Sequence, residues 1–262
     1  MSEQYETILY ENDGGIIRIT LNRPEKRNAL NSTMLEELTQ AFIRADADKE
    51  GACVVLRGSG DKAFCAGADL GGFAQSDSFY ENYENRGLFP KLFLVMEKLS
   101  KPTLAAVNGH CVAGGMGLMM ACDLAIAKSG FKVGTPEIAR GLFPFMISTF
   151  IGRAVPRRRM FEMMMVGETF STDTAAEWNV VNKTVPAEEF DEAVEAWAKK
   201  ISGYSPAVLQ MGRKALVQQE GMSLEGALSY LQGLLSVNVM MEDAAEGITA
   251  FFQKRDPEWK NK

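Results

Sequence analysis

With 262 residues, 46% hydrophobic and 24% charged, the chain can form one large domain or a domain with an appendage, and is too apolar to be disordered. A formal net charge of −6 excludes phosphate-backbone binding as its main task, although a local basic cluster can still hold a polyanionic ligand. The four cysteines lack CxxC spacing and the opening MSEQYETILYEND is too polar for a signal peptide, so a reducing cytoplasm is expected.

Asn12-Asp13-Gly14-Gly15 is a hairpin signal, and the partly alternating IIRITL after it predicts a strand over residues 16–21. The loop NRPEKRNALN carries Arg23, Lys26 and Arg27. Thr33 to Glu36 then has capping-box spacing, and Met34, Leu35, Leu38, Ala41 and Phe42 share one helical face. CVVLRG at 53–58 predicts the next strand.

Residues 71–90 show little periodicity. They predict a mobile loop whose aromatics could wall a pocket, leading into a helix that ends at Lys98. TLAAV at 103–107 and DLAIA at 123–127 read as buried strands, with a short third at 132–134, and the alternation of strand and helix implies parallel order. Residues 103–122 lack Asp, Glu, Lys and Arg, but Asn108, His110 and four glycines break the run. Buried strand plus helix is therefore expected there, not a membrane span.

From Arg157 the pattern is mostly helical. Met160, Phe161, Met163 and Met164 share a helix, residues 175–178 end another, and helices are expected over 188–201, 206–219 and 223–241. In the last, Leu224, Ala227, Leu228, Leu231, Leu234 and Leu235 form an apolar stripe that must pack on something. GYSP at 203–206 is the best boundary mark. The methionines read as core filler.

The chemistry is expected where a strand end breaks at Gly109, loops through Ala113, Gly114 and Gly115, and becomes helical at Leu118, Met119 and Cys122. N–H groups at a helix start have no partner within the helix, and the helix dipole favours a negative oxygen there. KAFCAGADL at 62–70 is a second glycine turn able to aim a backbone N–H. Two such donors would make an oxyanion hole.

FCAGADL and NGHCVAGGMGL, followed by CDLAIA and TPEIARGLFP, with NRPEKRNAL upstream and AFFQKRDPEW downstream, resemble the enoyl-CoA hydratase/isomerase (crotonase) superfamily over nearly the whole chain. The resemblance implies an α/β fold of the ClpP/crotonase kind, a spiral of ββα turns. Residues 1–202 would be the core with CoA and active site, and 203–262 a helical region for packing into a homotrimer or hexamer. The oxyanion donors map to Ala68 and Gly115, gripping the carbonyl of an acyl-CoA thioester. Lys26 and Arg27 resemble contacts to CoA phosphates, and Ala66, Gly67, Asp69 and Leu70 resemble adenine and pantetheine contacts, with Gly114 beside them. Lys254 would reach a neighbouring subunit's CoA. No permanently bound cofactor is implied, only coenzyme A within the substrate.

From spacing alone Glu137 reads as a solvated glutamate at a helix start, and the TPEIARGLFP resemblance makes it the expected proton carrier. It follows Thr135-Pro136 after a buried strand, and Phe143 and Phe145 would shield it, favouring the neutral carboxyl enough for acid and base work. The departure from the family lies at Gly117, where hydratases with two catalytic glutamates carry the first. A single glutamate suits double-bond isomerisation, yet GMGLMMACDLAIA and PEIARGLFPFMIS also resemble hydratases with glycine at this position. A hydratase is expected, with a delta-isomerase and a non-catalytic acyl-CoA binding protein as alternatives. His110, the only histidine, is expected to be a buried structural or pocket-lining residue, since Ser59, Ser129 and Ser148 lack nucleophile context. Cys65 and Cys111 read as core residues, and Arg157, Arg158 and Arg159 as a surface cluster at a helix start. No metal spacing is present.

Overall fold

The computed structural model describes residues 5–71 and 78–262. The chain enters through β1 (Ile8–Asp13) and β2 (Ile16–Leu21), an antiparallel hairpin closed by Gly14 and Gly15 at φ 58° and 82°. Positive φ at both turn residues matches the twist of the flanking strands. α1 (Ser32–Ala47) follows, and Asn31, not Thr33, caps it by accepting from the Met34 N–H at 2.9 Å. β3 (Cys53–Gly58) and β4 (Ala63–Cys65) lead to α2 (Phe79–Arg86) and α3 (Leu88–Lys98). Residues 79–86 are thus helix where a loop was expected. Ser78 starts it by accepting from the Glu81 N–H, a local cap that outweighs weak periodicity. Gly72, Phe73, Ser76 and Asp77 of the expected loop lie outside the described residues.

The central turns are β5 (Thr103–Val107), β6 (His110–Val112) and α4 (Gly114–Met120), then β7 (Leu124–Lys128) and β8 (Lys132–Gly134). After α5 (Ser148–Ala154) and α6 (Arg157–Met165) come β9 (Phe170–Ser171), α7 (Thr172–Glu177), β10 (Lys183–Val185) and α8 (Phe190–Ser202). The chain closes with α9 (Pro206–Gln218), α10 (Leu224–Asn238) and α11 (Glu242–Gln253).

Two sheets result. The larger has the order β1-β2-β3-β5-β7-β10 and is parallel from β2 onward, whereas the smaller runs β4-β6-β8-β9 with its first three strands parallel. Each pair β3/β4, β5/β6 and β7/β8 therefore gives one strand to each sheet before the chain moves on, which is the expected spiral of ββα turns. The corners are tight. A Cβ on Gly109 would stand 2.6 Å from the Ala63 nitrogen, and the buried Asn108 side chain accepts from Gly58 N–H at 3.0 Å while donating to Gly58 O and Gly60 O at 2.9 Å.

The central strands of the larger sheet, β3, β5 and β7, are buried on both faces, as their apolar runs require. Val54, Leu56, Ala105 and Val107 face the main core with α1 and α3. Val55, Leu104, Ala106 and Ile126 face α8 through Phe190, Val194 and Ala198. Beyond α8, Arg213 of α9 ties the helical end to the core. It pairs with Asp123 at 2.7 Å and donates to the Met96, Glu97 and Leu99 carbonyls that end α3. The α10 stripe is only partly covered within the described chain: Ala227, Leu231 and Leu234 are half-buried where α10 meets α9, while Leu224, Leu228 and Leu235 are 76%, 58% and 62% exposed. No described helix is long and apolar enough to cross a membrane.

Candidate active site

Two cavities of about 430 Å³ each meet at Arg86 and Phe89. The first is polar and takes Arg23, Lys26, Asn31, Asp69, Asn82 and Asn85 in its wall. The second is mostly apolar and is walled by Ala66, Ala68, Leu70, Gly114, Glu137 and residues 140–147, among others.

The two glycine turns converge at the second cavity because bulk is absent where they touch. A Cβ on Gly67, whose φ is 90°, would lie 2.7 Å from Ala113 Cβ and 3.1 Å from Gly114 N, and one on Gly114 would lie 3.5 Å from Ala68 N. Ala113 itself adopts φ 53°, a strained value for a residue with a Cβ, held by its N–H donating to Gly134 O at 2.9 Å. The parallel bridge between Leu30 and Ala68 uses Gly67 O and Asp69 N, which leaves the Ala68 N–H out of the ladder. Among the described residues no acceptor is found for the N–H of Ala68, Gly114 or Gly115.

Gly114, not Gly115, forms the cavity wall. Gly115 is buried one residue deeper, where an added Cβ would stand 2.3 Å from Cys65 O. Asp69, expected to touch substrate, is held at 3.0 Å by Arg23, which also donates to Ala29 O at 2.6 Å. That pair staples the Ala68 turn to the NRPEK loop while Asp69 still edges the polar cavity.

Glu137 sits in a 3-10 turn (Pro136–Arg140) directly after β8. Buried Thr135 anchors the turn by donating to Met163 O at 2.6 Å, and Leu142 N–H returns to Glu137 O at 3.2 Å. One carboxyl oxygen, Oε2, is buried without a hydrogen-bond partner. Burial pushes the Glu137 pKa above the usual carboxyl value, and its own backbone N–H and the Arg140 charge only partly oppose this. Of the expected aromatic shields, Phe143 and Phe145 line the cavity with ring centroids 5.0 Å apart, and Phe145 remains exposed. From residues 79–90 only Arg86 and Phe89 reach this cavity.

Gly117 faces no open space. A Cβ there would stand 2.2 Å from Ile147 Cγ2 and 3.0 Å from Phe93 Cζ, so Ile147 fills the volume a side chain at 117 would need. Glu137 is the only carboxylate among the described residues lining the cavity.

Other expected residues fall elsewhere. Lys26 edges the polar cavity, while Arg27 lines a separate, smaller pocket with Asn28 and residues 59–63. Lys254 caps α11 at φ 53° and lines none of these cavities. His110 is exposed, not buried or pocket-lining: its Nδ1 accepts from Lys132 N–H at 3.1 Å and its ring meets Phe131 edge-on at 5.2 Å. Cys65 and Cys111 are buried. Burial lifts the Cys65 thiol to about 12 and the Cys111 thiol well above its ordinary value, which fits core residues. Arg157 and Arg159 stack on Phe161 and Trp178 at the start of α6, as a surface cluster should. No group of three or more His, Cys, Asp or Glu suited to a metal ion is found among the described residues. Arg23, Arg86, Arg140 and Ile147 were not expected. Only Arg140 had a legible signal, its spacing of three from Glu137.

A spiral of ββα turns whose glycine corners open onto a carboxyl-bearing apolar cavity defines a crotonase-type α/β enzyme. The enoyl-CoA hydratase/isomerase family profile matches residues 11–262. The chain is 34% identical over 265 residues to a Mycobacterium bovis protein named "Probable enoyl-CoA hydratase echA8", covering 98% of this chain and 99% of that one. It is 30% identical over 261 residues to the short-chain-enoyl-CoA hydratase of Clostridium acetobutylicum, covering 99% and 100%. The crystal structure of a Mycobacterium smegmatis enoyl-CoA hydratase superposes with TM-score 0.93 at 34% identity, over 97% of this chain and 99% of that one. The chain belongs to the enoyl-CoA hydratase/isomerase family.

Proposed function

We propose that the chain is an enoyl-CoA hydratase that adds water to a 2-enoyl-CoA with Glu137 as its single acid and base. The thioester carbonyl oxygen lies between the N–H of Ala68 and that of the first α4 turn, with Gly114 at the wall as the second donor in place of Gly115. The CoA moiety runs into the polar cavity past Lys26, and backbone groups of residues 66–70 follow its pantetheine arm. Glu137 takes a proton from water and the water oxygen bonds to the β-carbon. The displaced π-electrons form an enolate whose oxygen the two donors hold. As the enolate collapses, its α-carbon takes the proton back from Glu137. The observation that carries the reading is one Glu137 carboxyl oxygen, Oε2, buried without a hydrogen-bond partner in the same cavity as two N–H groups without acceptors.

One observation favours a second reading. With Ile147 packed against Gly117, the wall offers no second carboxylate to orient water. A single base suffices to take a proton from C2 of a 3-enoyl-CoA and return it to C4. Incubation with 2-enoyl-CoA is expected to bleach the conjugated chromophore. If instead only 3-enoyl-CoA reacts, gaining that chromophore, the protein is an isomerase. Tight binding with no change in either, across several chain lengths, would leave an acyl-CoA binding protein.

Residues 1–202 form the catalytic core in this reading, and residues 203–262 dock on neighbouring subunits of a homotrimer or hexamer. The support is the apolar surface of α10 and α11, where Leu224, Phe251 and Phe252 are each more than three-quarters exposed. In such an assembly Lys254, beside those two phenylalanines, reaches a neighbour's CoA. Sedimentation of a monomer at micromolar concentration would remove this part. A cytoplasmic location fits the four free cysteines.

A further inference from the structure

We propose that Arg140 reads a carboxylate at the far end of the acyl chain, so that the preferred substrates are CoA esters of dicarboxylic enoic acids. The inference rests on the orientation given above, with the thioester at Ala68 and Gly114.

The wall of the second cavity is largely hydrocarbon, supplied by Leu70, Leu142, Phe143 and Met146 with others. Among the described residues only two cations line it, Arg86 and Arg140. Arg86 also lines the polar cavity, where the nucleotide end of CoA goes, whereas Arg140 belongs to the apolar cavity alone. A phosphate role for Arg140 is thereby disfavoured.

Arg140 stands three residues from Glu137 in a 3-10 turn, where residues i and i+3 share a face. Its charge acts on the Glu137 carboxyl, but it makes no hydrogen bond to it, and Oε2 has no partner. Its Nη1 donates instead to Pro136 O at 3.2 Å, and among the described residues it forms no ion pair with a carboxylate. The rest of the guanidinium is exposed. An acyl chain entering the cavity would take the place of solvent beside it. A methyl end would then leave the guanidinium donors poorly matched, while a carboxylate end supplies two charged acceptors in the forked geometry arginine favours.

Calorimetric titration with saturated, unreactive esters tests this, pairing hexanoyl-CoA with hexanedioyl-CoA and extending to matched pairs from four to eight carbons. The wild type is expected to bind one dicarboxylic member about tenfold or more tightly than its methyl-ended partner. Arg140→Leu is expected to lose that preference while binding the methyl-ended ester within about twofold of wild type, with Arg140→Lys between them. No preference in any wild-type pair, or equal weakening of both esters by Arg140→Leu, overturns the proposal. If Arg140→Leu fails to fold, the wild-type ratios and Arg140→Lys still decide. Because saturated esters do not react, the titration reads Arg140 even if the hydratase reading fails, and that failure shows separately in turnover.

Discussion

Glu137→Gln is expected to lower turnover of the reactive enoyl-CoA by about a thousandfold while leaving affinity for saturated CoA esters within about a factor of two. Glutamine keeps the size of the side chain and its hydrogen-bonding reach, so the cavity is preserved, but it can neither accept nor return a proton. In the wild type, burial raises the Glu137 pKa, and the charged form is the one that starts the reaction. The acid limb of kcat/KM should therefore lie above the ordinary carboxyl range, with activity rising as pH passes through the raised value. The sign for stability is opposite. Folding favours the neutral carboxyl, so its contribution is present below the unfolded pKa and is lost as pH rises through the folded one. Above its raised pKa the wild type carries a buried, unpartnered charged oxygen that Glu137→Gln does not, and there the variant should melt higher. Acidification toward the ordinary carboxyl range should close that gap. Unchanged turnover in Glu137→Gln would remove the residue from the mechanism, and a gap in melting temperature independent of pH would remove the burial argument.

What could be read from the chain beforehand follows from how local each cause is. Gly14-Gly15 closes a hairpin by its own dihedral preferences, and CVVLRG, TLAAV and DLAIA are apolar because a parallel sheet covers both faces, so these elements are visible in single segments. β4 and β6 have three residues each, too few for a period of two to register, yet they form the second sheet from which the donor turns leave. α2 has a polar sequence, FYENYENR, with no buried residue, and only its Ser78 cap marks it. The donor turns were legible as glycine patterns, but not which residue faces the cavity. Each step along a helix rotates the chain by about 100°, so Gly114 at the wall and Gly115 against Cys65 differ by a third of a turn that spacing alone does not fix. Of the cavity wall from residues 140–147, Phe143 and Phe145 were legible as shields of Glu137, whereas Ile147 was not. The contact of Ile147 with Gly117 joins residues distant in sequence, and no periodicity marks what a loop packs on.

Gly115→Ala is expected to lower the melting temperature by several degrees and turnover by about a hundredfold, although Gly115 contributes no side chain and Glu137 is untouched. The new Cβ would stand 2.3 Å from Cys65 O, 2.7 Å from Cys65 Cβ and 2.9 Å from Cys65 C, and two of those atoms are backbone. β4 cannot give way cheaply, because it pairs with β6 at Cys111 and its exit is held by Ala66 N–H donating to Arg27 O at 3.0 Å. The first turn of α4 must move instead. Any such shift separates Gly114 from Ala68, and the developing enolate then meets one well-placed donor where it had two. Loss of a single donor of this kind costs about 3 kcal/mol of transition-state stabilisation, and overpacking a filled core costs about 1–3 kcal/mol of fold stability. Gly212→Ala is the matched control. It lies within α9, where an added Cβ meets nothing within 4 Å, and the change should raise stability slightly, by up to about 1 kcal/mol, with turnover unchanged. Thermal melting and kcat measured on the two variants side by side separate the cases. If Gly115→Ala melts and turns over like Gly212→Ala, the close approach of α4 to β4 is not what sets the donors, and the pairing of the Ala68 turn with the α4 turn loses its physical basis.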